Sequence, residues 1–271
     1  MKITVLMEDT CGNPLYESEH GFSLYIETKN HKILMDTGAG EKTIENAKRS
    51  GIDLSLADTV VISHGHYDHA GGLLAFGEIN SHAPVYMQKS ASLDYYHKER
   101  YIGIDKRILH MDNLKLTEGS RVIDEELSVF AGITGRRYWP ESNRGLSVKQ
   151  DGCLVQDEFV HEQCLVIKEG RTVLVSGCAH NGILNILDQY KKIYGGYPSV
   201  VISGFHMMKK ADYTKEEQEI IVRTARELAG MDTVFYTGHC TGQKAIDLMK
   251  PVMAEKLVQM HCGDVIMIQA G

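Results

Sequence analysis

The sequence lacks the features that would place it among membrane, disulfide-stapled or nucleic-acid-binding proteins. No apolar run approaches the roughly 20 residues that a membrane-spanning helix needs. The six cysteines are scattered without a CxxC pair, so we expect free thiols in a reducing cytoplasm. The formal net charge of -7 argues against a general binder of nucleic acid or of membrane surfaces. We therefore expect a cytoplasmic protein with neither kind of partner.

The chain has 271 residues and 43% hydrophobic residues, enough for a core that needs no disulfides. Strand and helix patterns alternate, which predicts an α/β fold. Thr214, followed by Glu217, is a capping-box signature that opens a helix closed by Gly230. The other predicted elements are strands Ile3–Met7, Phe22–Glu27, Lys32–Met35 and Ile266–Ile268 and helices 41–50, 181–193 and 241–249, the last ending before Pro251.

Residues from about 90 to 158 are less regular and predict a lid-like insertion within a single domain over 1–271. The insertion carries Arg136, Arg137, Tyr138 and Trp139, and then Arg144. These side chains fit either an anionic or aromatic substrate or an exposed loop anchored by one tryptophan, and both interpretations stay open.

The most informative stretch is His64-Gly65-His66-Tyr67-Asp68-His69, which directly follows the apolar run Thr59 to Ile62. Neutral imidazole and carboxylate are ligands for zinc and also suit iron or manganese. In an extended segment His64 and His66 point to the same side, and Asp68 and His69 follow from the next turn. One short loop can therefore supply two ligands to each of two adjacent metals.

Three further apolar runs end in Ser or Thr and reach a histidine, namely His180, His206 and His239. Strands of one sheet bring their ends together, so we expect these histidines to converge with the motif on one rim. Cys178 and Cys240 stand beside His180 and His239, and either line the metal site or bind the metal. His20 is left open, and surface or structural roles are expected for His31, His82, His97, His110, His161 and His261.

The motif, in its place after a strand and before a helix, resembles the metallo-β-lactamase fold superfamily. That resemblance implies a four-layer αββα sandwich with the metals at one edge. It also implies that Asp36 buttresses the metal loop and that His180 and His239 are further ligands. Segments spanning nearly the whole chain, such as Ser176–Gly182 and Gly238–Gly242, are similar to the branch of dihydropterin-aminobenzene-phosphate synthases.

One departure from the superfamily concerns the second metal. In its common dinuclear hydrolases, a later strand ends in an aspartate that bridges both metals, whereas here that strand ends Ser203-Gly204-Phe205-His206. The next carboxylate is Asp212. His206 therefore takes the position either as a ligand or as a substrate contact, and one or two metals are expected.

The resemblance implies a division of the ligands and a chemistry. His64, His66 and His180 would hold one divalent ion, and Asp68, His69 and His239 the other. Zinc is the first expectation, with manganese, iron or magnesium as alternatives. A water between them would have its pKa lowered from ~15.7 towards ~7. Asp68 would accept a proton, and His206 would donate one to the leaving group or an oxyanion.

The expected function is a metal-dependent hydrolase or transferase that acts on a small anionic, phosphorylated, pterin-like substrate. Tyr95, Tyr96, Tyr138 and Trp139 are the aromatic residues that could stack on such a ring. A phosphodiesterase, a lactone hydrolase and a non-catalytic metal-binding sensor are the alternatives. A di-iron redox enzyme is disfavoured, because that group prefers a carboxylate where His66 stands. A homo-oligomer is left open.

Overall fold

The computed structural model describes residues 1–269, which contain six α-helices and three β-sheets. The helices are α1 (Lys42–Arg49), α2 (Tyr67–Ala70), α3 (Leu73–Ile79), α4 (Ile183–Tyr194), α5 (Lys215–Ala229) and α6 (Gln243–Met253). The strands are β1 (Lys2–Met7), β2 (Ser23–Glu27), β3 (Lys32–Met35), β4 (Thr59–Val61), β5 (Val85–Gln88), β6 (Tyr95–His97), β7 (Arg100–Tyr101), β8 (Leu114–Thr117), β9 (Arg121–Val122), β10 (Leu127–Phe130), β11 (Leu146–Gln150), β12 (Cys153–Gln156), β13 (Cys164–Glu169), β14 (Arg171–Val175), β15 (Val200–Ile202), β16 (Val234–Thr237), β17 (Leu257–Gln259) and β18 (Val265–Met267).

Two seven-stranded sheets form the body of the fold. The first has the order β18-β1-β2-β3-β4-β5-β8, and the second β17-β16-β15-β14-β13-β10-β9. Each sheet is antiparallel on one side and parallel on the other, and the parallel strands include β4 in the first sheet and β14, β15 and β16 in the second. The carboxyl ends of parallel strands lie at one edge of a sheet, where α/β proteins place their sites.

The buried residues separate into three layers of packing. One layer lies between the two sheets, a second packs the first sheet against α1 and α3, and a third packs the second sheet against α4, α5 and α6. Successive side chains of a strand point to opposite faces of its sheet, so one strand contributes to two layers. In β14, Val173 and Val175 face the layer between the sheets, while Leu174 faces the helices. The expected four-layer αββα sandwich is confirmed.

Several predicted elements match the structure closely. The strand predicted over Lys32–Met35 has those bounds, and the helix opened by Thr214 carries the full capping box, with the Thr214 side chain on the Glu217 amide and the Glu217 side chain on the Thr214 amide. The expectation that Pro251 lies beyond the last helix is wrong, because α6 runs through it to Met253. Pro251 is exposed and stands in the final turn, and the buried Met253 holds that turn against the core.

The range from 90 to 158 divides between the body and a small third sheet. Strands β8, β9 and β10 belong to the two main sheets, whereas β12, β11, β6 and β7 form the third. The third sheet packs its own small core, which contains Tyr95, Leu146 and Phe159. A lid function for this sheet stays a prediction.

The structure bears on two expectations drawn from the sequence, which concern the cysteines and membrane-spanning segments. All six cysteines, which lie within the described residues, are free. Over residues 1–269, every helix is too short or too polar to span a membrane.

The layered core makes a direct prediction about stability. Leu174→Ala removes a fully buried side chain between the second sheet and its helices, and we expect a loss of about 2–5 kcal/mol in the free energy of unfolding. Leu15→Ala is the matched control, because Leu15 is 69% exposed and should change that free energy by less than about 0.5 kcal/mol. Urea unfolding followed by circular dichroism measures both, and equal values would contradict this packing.

Candidate metal centre

The histidine-bearing strands do not share one sheet, which corrects the sequence-based expectation. Strand β4 lies in the first sheet, and β14, β15 and β16 lie in the second. The loops after these strands nevertheless meet, because the sheets pack face to face with their carboxyl edges at the same end. The His64 Nε2 and His180 Nε2 atoms, one from each sheet, are 3.2 Å apart. The site is therefore built across the gap between the sheets.

The carboxylate of Asp36 organises the motif loop. Asp36 follows β3, is fully buried, and has a left-handed backbone with φ of 55°. It accepts hydrogen bonds from the Ser63 amide at 2.6 Å, the Ser63 hydroxyl at 2.7 Å and His69 Nδ1 at 2.7 Å. The start and the end of the motif are thus tied to one carboxylate.

The turn after His66 places the remaining motif residues. His66 is the extended residue that precedes α2, and Asp68 and His69 lie in that short helix. Behind it, Gly71 lies so close to the Ala39 carbonyl that a Cβ atom at this position would overlap it. Glycine at this position therefore allows the two backbone segments to approach closely.

His69 and His239 form the first pair of facing donors. Their Nε2 atoms are 3.2 Å apart, and both side chains are buried. His69 Nδ1 donates to Asp36, and His239 Nδ1 donates to Asp9 Oδ1 at 2.6 Å. The Asp68 Oδ2 atom lies 3.6 Å from His69 Nε2 and 3.5 Å from His239 Nε2.

His64 and His180 form the second pair. His180 Nδ1 lies 3.1 Å from the Asn143 Oδ1 atom, and His64 Nδ1 lies 2.8 Å from the Ser63 hydroxyl. The Ser63 hydroxyl donates its single hydrogen to Asp36, so it accepts from His64. Both imidazoles therefore carry their hydrogen on Nδ1, as His69 and His239 do.

These hydrogen bonds fix what the four Nε2 atoms can do. With the hydrogen on Nδ1, each Nε2 of the neutral ring carries a lone pair, and the lone pairs face each other in two pairs at 3.2 Å. Lone pairs at that distance repel unless a proton or a metal cation lies between them. Imidazoles held through Nδ1 by an oxygen are the usual form of metal-binding histidine. The donor set therefore fits divalent metal ions.

His66 stands beside the second pair. Its ring centroid is 4.6 Å from that of His64 and 4.9 Å from that of His180. Its Nε2 atom is buried and has no hydrogen-bond partner among the described residues. A buried nitrogen without a partner is costly, which supports a ligand role for His66. The donor atoms within 4.8 Å of one another here are those of His64, His180 and Cys178.

The charge states suit metal binding at most of these residues. Burial lowers the pKa of His66 to about 3 and holds the pKa values of His64 and His180 well below the usual range. Although burial opposes it, the neighbouring histidines hold the pKa of Asp68 far below its usual value. Neutral imidazoles and an ionised carboxylate are the forms that bind metals. His239 differs: against burial, Cys240, Asp68 and Asp9 raise its pKa, so in the metal-free protein a proton competes there with a cation.

His206 separates the centre from a cavity of about 520 Å³. Its ring lies 4.0 Å from that of His180, and its two ring nitrogens are buried without a partner in residues 1–269. The backbone of His206 is left-handed, with φ of 49°, and Ser142 Oγ donates to its carbonyl. Whether His206 binds the metal or the substrate stays a prediction, since it lies beside both Cys178 and the cavity.

The structure also places His20, which the sequence left open, at the site. His20 Nδ1 is 2.8 Å from Asp9 Oδ2, its Nε2 is 3.4 Å from Asp68 Oδ2, and its ring stacks 4.7 Å from that of His239. Asp9 thus contacts His20 and His239 together. The available signal was the acidic pair Glu8-Asp9 directly after an apolar strand, which sequence reasoning did not use.

Two buried acids that the sequence did not single out, Asp157 and Glu162, support the loops of the site. His161 was expected to be a surface or structural residue; it is fully buried, its Nδ1 accepts from the Gly65 amide and its Nε2 contacts Asp157. Both ring nitrogens are therefore occupied, so His161 supports the motif loop and is not free to bind a metal. Glu162 accepts from the amides of His180 and Asn181 at 2.6 and 2.9 Å, which fixes the loop after β14.

The aromatic residues proposed for stacking fall in different places. Tyr95 is buried and stacks on His161 with centroids 4.0 Å apart, so it is unavailable to a substrate and that expectation is wrong. Tyr96 pairs with Tyr101 on the third sheet. Tyr138 and Trp139 do line the cavity beside His206.

Comparisons with known proteins agree with this architecture. Residues 18–132 match the family model of the metallo-beta-lactamase superfamily. An uncharacterized protein of Methanocaldococcus jannaschii is 32% identical over 97% of this chain and 99% of its own length. The 7,8-dihydropterin-6-methyl-4-(beta-D-ribofuranosyl)-aminobenzene-5'-phosphate synthase of that organism is 29% identical, covering 98% of this chain and 96% of the synthase. A metal-dependent hydrolase of the beta-lactamase superfamily, known from a crystal structure, is 34% identical in sequence to this chain. The two structures superpose over 99% of each chain with a TM-score of 0.84.

The Asp36 carboxylate makes a prediction about metal affinity. Asp36→Asn keeps the size of the side chain but weakens its hold on His69 and Ser63, so we expect zinc affinity to fall by about 10–100-fold. Asp232→Asn, at an exposed position, is the matched control and should bind zinc like the parent. Competition with a chromophoric chelator measures the Kd values. Unchanged affinity in Asp36→Asn would contradict the proposed organisation of the loop.

Proposed function

Since the chain belongs to the metallo-beta-lactamase superfamily, we propose that it is a metal-dependent enzyme that acts on a small, phosphorylated, pterin-like substrate. The observation that carries the proposal is the convergence of the Nε2 atoms of four buried histidines, in two pairs at 3.2 Å, next to a cavity. A sensor would need only the bound ion, whereas a cavity that reaches His206, whose ring lies 4.0 Å from that of His180, suits chemistry.

We assign the metal ligands as the sequence predicted them: His64, His66, Asp68, His69, His180 and His239. A divalent ion bound there supplies Lewis acidity and makes a water more acidic. The neighbouring histidines keep the Asp68 carboxylate ionised, and its oxygen that does not bind the ion would accept a hydrogen bond or a proton. Zinc suits this nitrogen-rich donor set, and iron or manganese would also fit it.

His206 takes the role of proton donor to the substrate. The His206 residue lines the cavity, its ring lies 4.0 Å from that of His180, and its two buried ring nitrogens have no partner in residues 1–269. An imidazole there can donate to a leaving oxygen or nitrogen of a substrate that enters from the cavity. This role needs a substrate in contact with the ring, which the position of His206 in the cavity wall supports.

The cavity supports the choice of substrate class. Tyr138, Trp139 and Phe205 give it an aromatic wall, and the Trp139 Nε1 atom is a buried donor without a partner in the described part of the chain. A planar ring with acceptor atoms suits such a wall. Gly182 and Ile183, at the start of α4, also line the cavity, and the positive end of a helix favours an anionic group.

The three basic side chains of the cavity are less free than the sequence suggested. Arg137 pairs with Asp188 and Glu227, Arg144 with Glu141, and Lys209 with Glu217. A phosphate would therefore have to replace a carboxylate partner to bind one of them. Exposed ion pairs are weak, at roughly 0–1 kcal/mol, so such an exchange is energetically feasible.

The reaction is either transfer or hydrolysis. The name of the synthase relative favours a transfer that joins a dihydropterin to an aminobenzene phosphate, and the same donors could hydrolyse a phosphodiester or a lactone. Incubating the zinc-, manganese- or iron-loaded protein with a dihydropterin pyrophosphate and an arylamine tests transfer through pyrophosphate release. A chromogenic phosphodiester and a lactone test hydrolysis. No turnover in any of these would contradict the enzymatic proposal and favour a sensor.

We also propose the cytoplasm as the location, because six free thiols suit a reducing compartment.

His206→Asn separates the proposed proton donor from the metal ligands. We expect kcat to fall by about 10²–10⁴-fold, because the substrate loses its proton donor, while bound zinc per chain is unchanged. His110→Asn, on an exposed histidine, is the matched control and should leave both quantities unchanged. A parallel loss of zinc in His206→Asn would make His206 a ligand instead, and parental kcat would remove it from the reaction.

A further inference from the structure

The Cys178 thiol lies among the donor atoms that face Asp68. Its Sγ atom is 3.1 Å from His69 Nε2 and 3.4 Å from His239 Nε2, and the four donor atoms of Asp68, His69, Cys178 and His239 lie within 4.8 Å of one another. All four residues are buried. Cys178 precedes His180 by two residues, on the loop that follows β14.

The spacing of these atoms has the dimensions of a coordination tetrahedron. Zinc bonds of about 2.0–2.3 Å to nitrogen, oxygen and sulfur at tetrahedral angles place neighbouring donors roughly 3.3–3.6 Å apart. Five of the six edges are 3.1, 3.2, 3.4, 3.5 and 3.6 Å, and the sixth, between Asp68 and Cys178, is within 4.8 Å. The five known edges are thus close to those that a single ion would impose.

A hydrogen bond from the thiol explains less of this geometry. The thiol carries one hydrogen, which can reach either His69 Nε2 or His239 Nε2 but not both. The carboxylate of Asp68 would still face the sulfur with lone pairs, and the other imidazole would need a second proton at its Nε2 atom to avoid doing the same. One cation at the centre of the four donors would neutralise all of these repulsions together.

Gly177, directly before Cys178, allows the Cys178 loop to come close to the motif loop. A Cβ atom on Gly177 would overlap the Ser63 hydroxyl and lie 3.1 Å from His69 Cε1. Glycine therefore lets the loop of the second sheet pack directly on the motif loop of the first. That contact is what brings the sulfur to His69.

We propose that the Cys178 thiolate is a direct metal ligand, which completes a four-donor site with Asp68, His69 and His239. The proposal rests on the proposed metal centre and deepens it. A site with four protein ligands is filled, so the position open to water or substrate belongs to the ion held by His64, His66 and His180. The Cys178 donor atom also lies within 4.8 Å of those of His64 and His180, so the thiolate would add negative charge beside both ions in a chain whose later strand ends in His206 and not in an aspartate.

Thiolate ligation predicts a preference among metals. Sulfur ligands favour zinc and cobalt over magnesium and manganese. We therefore expect the filled site to bind zinc or cobalt and to discriminate against magnesium.

Cys240 provides the matched control. It is also buried, and its Sγ lies near Cys178 and His206, but it belongs to no group with His69 or His239 among residues 1–269. Its side chain packs against Gly204 and contacts the Cys178 carbonyl at 3.5 Å. Removing this thiol should leave the sulfur at the metal in place.

The test is X-ray absorption of the zinc-loaded full chain, with zinc alone as the probe. We expect a sulfur scatterer at about 2.3 Å from zinc in the parent and in Cys240→Ser, and its loss in Cys178→Ser. Cobalt loading gives a second measurement, a near-ultraviolet sulfur-to-cobalt charge-transfer band with the same pattern. Far-ultraviolet circular dichroism checks that each variant is folded.

The outcomes separate the two proposals. A parent that binds zinc with nitrogen and oxygen scatterers only would overturn ligation by Cys178 and leave the metal centre standing. A parent that binds neither zinc nor cobalt would overturn the centre itself. Loss of the sulfur signal in Cys240→Ser with retention in Cys178→Ser would assign the sulfur to Cys240 and also overturn the proposal. If Cys178→Ser does not fold, the parent and Cys240→Ser still decide it.

Discussion

The buried carboxylate of Asp36 is the interaction on which the site depends. It receives the amide and hydroxyl of Ser63 and the Nδ1 hydrogen of His69, and through Ser63 it fixes the tautomer of His64. A fully buried carboxylate is stable only when its acceptor sites are filled, and here the donors come from both ends of one seven-residue segment, Ser63 to His69. The carboxylate therefore orients a member of each pair of facing imidazoles.

The loops after β14 and β16 of the second sheet carry the other two imidazoles, those of His180 and His239, and hydrogen bonds to oxygen atoms orient these rings as well. Glu162 holds the backbone of the loop that carries His180. The His180 imidazole faces Asn143 Oδ1, which is buried, and the His239 imidazole faces Asp9 Oδ1, which is half-buried. Asp36, His206 and His239 have a left-handed backbone, a conformation that residues other than glycine rarely adopt and that the surrounding structure must stabilise. The arrangement leaves lone pairs facing one another across the gap between the sheets, and this repulsion is what a bound cation relieves.

The sequence predicted the motif loop and many of the strands from local patterns, namely the spacing of His64 and Asp68 and the apolar runs. The four layers followed from the resemblance to the metallo-β-lactamase superfamily and not from those patterns. The sequence could not predict that β4 lies in a different sheet from β14, since strand pairing joins residues far apart in the chain. The roles of His161 and Asp9 were hidden for the same reason: their partners lie 96 and 230 residues away.

Metal content per chain, measured by plasma mass spectrometry on protein purified without chelators or a histidine tag, tests the central claim most directly. Two pairs of facing imidazoles predict close to two equivalents of a divalent metal. No bound metal, even after zinc, manganese or iron is added, would contradict the account.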